Sequence, residues 1–140
     1  MSFVQAKFKG VDIPDIKEVD FGTDRLVAPN GAVGMVNHYI RTICLKRIKS
    51  LQNGTGADRA DSEIVKLAAA TQKNAYFSGE ITVAPADDTV NKVTKLRWEQ
   101  GHISSRTISV QGSEFIERIA ISVMDLKEND QTFKRSTAKD

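Results

Sequence analysis

From Asn74 to Leu126 apolar and polar residues alternate with a period of two, interrupted only by turn residues. Successive side chains of a strand point to opposite faces, so this alternation predicts half-buried strands. In the first, Ala75, Phe77, Ile81 and Val83 share one face, and Asn74, Tyr76, Ser78, Glu80 and Thr82 the other. Ala84-Pro85-Ala86-Asp87-Asp88 reads as a turn. The second strand spans Thr89–Glu99, with Thr94, Leu96 and Trp98 on one side. Gln100-Gly101-His102 turns it into a third, Ile103–Val110. Gln111-Gly112-Ser113 turns that into a fourth, Glu114–Leu126. The fourth carries Phe115, Ile119, Ile121 and Val123 on one face and Ile116, Ala120 and Met124 on the other. Apolar residues on both faces predict a central, covered strand.

Upstream the spacing differs. Residues 3–9 alternate in part and predict a short strand. Residues 10–30 hold turn chemistry at Gly10, Pro14, Gly22, Pro29 and Asn30, with Arg25–Ala28 as a short extended piece. Val33, Val36, Ile40, Ile43, Cys44, Ile48 and Leu51 then recur at helical spacing, which predicts a long helix from Ala32 to Leu51. Asn30 is its expected N-cap and Asn53-Gly54 its stop. Arg41, Lys46, Arg47 and Lys49 crowd its second half, where cations suit the helix dipole. Residues 61–72 fit a shorter helix with Ile64, Leu67 and Ala68 inward, or a strand.

Length makes residues 1–126 a single domain, with residues 127–140 a polar C-terminal tail. A net charge of +2 gives little reason to expect nucleic acid or an anionic membrane as partner. No apolar run approaches the roughly 20 residues of a membrane span, and the first residues lack a signal-peptide layout, so a cytoplasmic location is expected. Cys44 is the only cysteine, which leaves no internal disulfide; within a helical pattern it reads as a buried, unreactive thiol. Two histidines without placed carboxylates do not make a metal site.

Three stretches carry a family resemblance. Pro29-Asn30-Gly31-Ala32-Val33-Gly34-Met35-Val36 resembles the loop into the helix of phenylacetate-pathway-type acyl-CoA thioesterases. Ile81-Thr82-Val83-Ala84-Pro85-Ala86, followed by Asp87-Asp88-Thr89-Val90, resembles the strand that ends in Pro-Ala before the next turn. Arg97-Trp98-Glu99-Gln100-Gly101-His102, running into Ser105-Arg106-Thr107, resembles the hairpin opening the last two strands. The resemblance covers residues 25–126 and implies an α+β, hotdog-like fold: one long central helix wrapped by a curved antiparallel sheet.

It also implies a function. The partner would be an acyl or aryl thioester of coenzyme A or a carrier protein, hydrolysed or else dehydrated or cyclised. The protein would be a homodimer or homotetramer without a cofactor. Asn30, Gly31, Gly34 and Met35 would orient the carbonyl at a helix N-terminus. His38 would move the proton. Thr42 stands where the family has its carboxylate, and no Asp or Glu occurs from Arg25 to Ala57. Arg41, Arg97 and Arg106 would meet phosphates. The missing carboxylate leaves two rivals open. One is a non-enzymatic assembly subunit of a phage particle or secretion apparatus. The other is a nucleic-acid-binding module built on the Arg41–Lys49 cluster.

Overall fold

The computed structural model describes residues 3–27, 33–40, 42–50, 59–84 and 93–134. Strands β1 (Phe3–Phe8), β2 (Val11–Ile13), β3 (Ile16–Asp20), β4 (Thr23–Val27), β5 (Val33–Ile40) and β6 (Ile43–Ser50) come first. Helix α1 (Arg59–Ala69) and a 3₁₀ turn (Gln72–Ala75) follow. Strands β7 (Phe77–Ala84), β8 (Thr94–Gln111), β9 (Glu114–Val123), β10 (Asp125–Glu128) and β11 (Gln131–Lys134) complete the described chain.

The long helix expected over residues 32–51 is replaced by two strands, β5 and β6. The burial of β6 explains the misreading. Ile43, Leu45 and Arg47 are buried, whereas Cys44 is exposed and Lys46 and Ile48 are half-buried. The true period is two, but an arginine occupies one inward position and an isoleucine an outward one. The apolar residues alone therefore fall at helical spacing. Cys44 lies on the exposed side, contrary to the buried thiol expected of it.

The sheet runs β2-β1-β7-β8-β9-β6-β3, with β10 paired to β8 and to β11, and every pairing is antiparallel. It curls until β3 lies alongside β1, where no ladder joins them among the described residues. Strands β4 and β5 form a separate two-stranded ribbon. This curled sheet with one short helix is not the α+β hotdog arrangement. The polar segment expected as a tail contains the β10–β11 hairpin; residues 135–140 lie outside the described residues.

Strand β8 organises the fold. It is continuous through Gln100-Gly101-His102, where a hairpin turn was expected, and it changes partners there instead. Its first half pairs with β7, from Val83↔Thr94 to Phe77↔Gly101, and its second with β9, from Gly101↔Val123 to Gln111↔Glu114. The chain of β9 breaks at Met124 and continues along β8 as β10. Asp125 fixes that step, because its Oδ1 accepts the backbone N–H groups of Glu99 and Gln100, both at 3.3 Å. Asn129 then accepts from the Lys95 N–H through Oδ1 at 2.9 Å and donates its own N–H to the Lys95 carbonyl at 2.8 Å.

Gly101 is a packing residue. The Trp98 indole is 2% exposed and lies between Gly79 and Gly101. A Cβ on Gly79 would stand 2.3 Å from the ring, and one on Gly101 2.8 Å. Phe8 and Phe77 complete the aromatic centre, with ring centroids 6.1 and 6.0 Å from Trp98 and 5.2 Å from each other. Helix α1 packs against β8 and β2 with Ala60, Ile64 and Leu67 buried at four- and three-residue spacing. Each such aliphatic side chain, Ile64 or Leu67, contributes about 1.5–3 kcal/mol when fully buried. Asp61 in the first turn and Lys66 in the last suit the helix dipole. Gln72, at φ 57°, turns the chain after the helix has ended.

Candidate functional site

Among the described residues, the ones expected to form the thioester site are not brought together. Asn30, Gly31 and Arg41 lie outside the described residues. Gly34, Met35 and His38 stand on β5, where His38 is opposite Arg25 of β4. A strand in a ladder has no cluster of orphan N–H groups like a helix N-terminus, so the expected oxyanion donors lose their physical basis. Thr42 is a half-buried residue between β5 and β6. Arg97 is exposed, opposite Glu80 and Lys127. Arg106 sits on the other half of β8 and binds Glu117. These two arginines therefore do not converge on one phosphate. His102 is half-buried, with its ring edge-on to Tyr76 at 5.6 Å. Among the described residues no group of three or more His, Cys, Asp or Glu could hold a metal ion.

What the fold does gather is an ionic cluster between the sheet and α1. Arg47 and Glu117 are opposite each other on β6 and β9 and almost fully buried, at 0% and 1% exposure. Arg47 Nη1 donates to Glu117 Oε1 at 2.7 Å and to Asp61 Oδ1 at 3.0 Å, and its Nε donates to the Pro14 carbonyl at 3.0 Å. Arg106 Nε donates to Glu117 Oε2 at 2.7 Å, and Lys49 Nζ donates to Asp61 Oδ2. One residue pair thus joins β6, β8, β9, the β2–β3 connection and the helix. Alternation identified the strand that holds Glu117, but only its placement among Phe115, Ile119 and Ile121 hinted that a carboxylate faces inward.

Asp61 makes this tie pH-dependent. Partial burial pushes its carboxyl up, but hydrogen bonds from Lys49 and Arg47, and their charges, outweigh burial and hold it below its usual value of 3.8. A lowered folded value means stability that is complete above the unfolded value and lost as pH falls through the folded one. Melting temperature should therefore drop on acidification below about pH 4 in the wild type. Asp61→Asn should be less stable at neutral pH and converge with the wild type in acid. A constant difference between them from pH 7 to pH 3 would contradict this.

Outside the cluster the features are surfaces. Residues Ser104–Gln111 of β8 have β9 on one side and no strand on the other among the described residues. An unpaired edge offers a row of backbone donors and acceptors to another chain. Ile108 and Val110, at 42% and 59% exposure, stand on this stretch. Neither was singled out from the sequence, because an alternating strand looks the same whether its apolar face meets the core or a partner.

No protein-family model matches the chain, and no curated protein matches it. Solved structures do. Hcp1 from Flavobacterium johnsoniae aligns with a TM-score of 0.65 at 10% identity, over 94% of this chain and 98% of that one. A type six secretion system protein aligns at 0.63 and 9% identity, over 96% and 91%. Hcp1 from Salmonella typhimurium aligns at 0.61 and 11% identity, over 94% and 90%. At such identities the likeness is one of fold. The fold is that of the Hcp proteins, and this overturns the hotdog resemblance, together with the acyl-thioester partner and the hydrolase activity that depended on it.

Proposed function

We propose that this chain is a non-enzymatic structural subunit that assembles with copies of itself in a secretion apparatus. The observation that carries this reading is the end-to-end likeness to Hcp1 from Flavobacterium johnsoniae, which leaves 2% of that chain and 6% of this one unaligned. Fold alone is compatible with many functions, so the reading rests on the likeness running over nearly all of both chains and not over one shared element. The surface supports the same reading. A β8 edge that is open among the described residues and bears two exposed apolar side chains suits pairing between copies. A buried ionic cluster that locks helix to sheet suits a subunit that keeps one shape on assembly.

Light scattering on the purified protein tests the proposal. A particle larger than a tetramer, multiple in subunits and stable on dilution, is the expected result. A monomer across the accessible concentration range would overturn it.

A further inference from the structure

Arg118 of β9 is exposed and has no ion pair among the described residues. Register sets its surroundings. Thr107 of β8 is opposite it on one side and Lys46 of β6 on the other. One row along, in the same strand order, stand Ser105, Ala120 and Cys44. The row on the other side of Arg118 holds Ser109, Ile116 and Ile48. Residues two apart on a strand share a face, so these three rows lie together on the outward side of the sheet. Leu45, Arg47, Glu117 and Ile119 alternate with them and are buried on the core side.

None of the neighbours of Arg118 in these rows is a carboxylate. Acidic residues of the same face stand further out. Glu114 is four residues along β9, beyond Ile116. Glu18 and Asp20 are on β3, opposite Lys46 and Cys44 and two strands away from Arg118. Glu18 lies 3.7 Å from the Lys46 ammonium. That is longer than a hydrogen bond, so Lys46 keeps donors for a second partner.

Shape follows from the same grid. Ser105, Ala120 and Cys44 are short, and the row beside them carries the long side chains of Arg118 and Lys46. The step between the rows is a hollow of about 350 Å³, with Thr107 at its β8 end and Glu18 and Asp20 at its β3 end. A water molecule takes about 30 Å³, so the hollow has room for an oxyanion and a small body attached to it.

We propose that this hollow binds a phosphomonoester of a small molecule. Arg118, Lys46 and the hydroxyl groups of Thr107 and Ser105 hold the phosphate, and the uncharged remainder lies over Ala120 and Cys44. A guanidinium meets a phosphate with two parallel N–H donors, and an ammonium adds a point charge. Like charges directly opposite each other on neighbouring strands repel, and a dianion between Arg118 and Lys46 removes that cost. Glu18 and Asp20 repel a second phosphate at the far end, which selects a monoester over a polyanion. The site lies within one copy and does not depend on assembly.

Cys44 is the only cysteine and stands exposed on the floor of the hollow, so its reactivity reports occupancy. The test follows alkylation of the full chain by N-ethylmaleimide, an uncharged reagent, by intact mass. Phenyl phosphate is titrated in at about pH 8, where a phosphomonoester is a dianion, with ionic strength held constant by sodium chloride. Alkylation should slow saturably, by about tenfold at ten times the dissociation constant, because occupied sites are withdrawn by mass action. Inorganic phosphate should protect only at higher concentration, since it lacks the body that covers the thiol, and acetate should not protect. Arg118→Gln should abolish the protection, whereas Arg97→Gln, at an exposed arginine on the other half of β8, should keep it. Trp98 fluorescence confirms that both variants are folded. An alkylation rate that phenyl phosphate leaves unchanged would overturn the proposal. So would equal protection by acetate, or protection that survives Arg118→Gln. Equal potency of inorganic phosphate and phenyl phosphate would overturn the ester and assign the hollow to free phosphate.

Discussion

Glu117→Ala is expected to lower the stability of the subunit by about 3–5 kcal/mol, the cost of stranding a buried charge. Arg47 would remain at 0% exposure with its strongest partner removed. Its Nη2 has no hydrogen-bond partner among the described residues even in the intact cluster, so the guanidinium has little reserve. Arg106 would lose its carboxylate in the same step. Replacing both buried residues, as Arg47→Met with Glu117→Leu, should recover most of the loss, because two apolar side chains need no counterion. Urea unfolding of the single and double variants measures both quantities. A loss below about 1 kcal/mol for Glu117→Ala, the range of an exposed pair, would show that the cluster does not hold the fold.

The second large effect is expected at Gly79. Alanine there would place a Cβ 2.3 Å from Cζ2 of Trp98, with two further ring atoms at 2.7 and 2.8 Å. The ring cannot slide away along the strand, because the space of Gly101 is already filled by its other edge. Overpacking of this kind costs about 1–3 kcal/mol, and this site allows little relaxation. Trp98→Ala should cost about 3–5 kcal/mol. Joining Gly79→Ala to Trp98→Phe should cost less than the two single changes added together, since a smaller ring admits the new methyl group. Trp98 is the only tryptophan, so its fluorescence reports its own site during denaturation. A Gly79→Ala variant as stable as the wild type would contradict the packing described.

These residues also mark what the sequence made legible. The alternation through Phe77–Val83 and Thr94–Trp98 located two strands and the inward faces of Phe77, Ile81, Leu96 and Trp98. Ile64 and Leu67 marked the inward stripe of α1, although strand remained an alternative for that segment. Failures fall where a polar residue or a glycine does a core residue's work. Arg47 broke the period of β6 and left an apparent helix. Gly101 resembled a turn because its lack of a side chain serves Trp98, which lies three residues away in sequence. Glu117 could not be paired with Arg47 and Asp61 until topology brought β6, β9 and α1 together. The thioester site was assigned by resemblance to a helix N-terminus, and with that helix gone its described residues lie on β5, beside β6 and on two halves of β8. The exposure of Ile108 and Val110 is invisible in sequence for a simpler reason: an apolar residue in an alternating strand carries no sign of whether it meets the core or the surface.

Electron microscopy of the purified, unmodified protein tests the assembly reading most directly. Rings or filaments of repeated subunits are expected. A uniform field of single 15.4 kDa particles, under conditions where the protein is folded and concentrated, would contradict it.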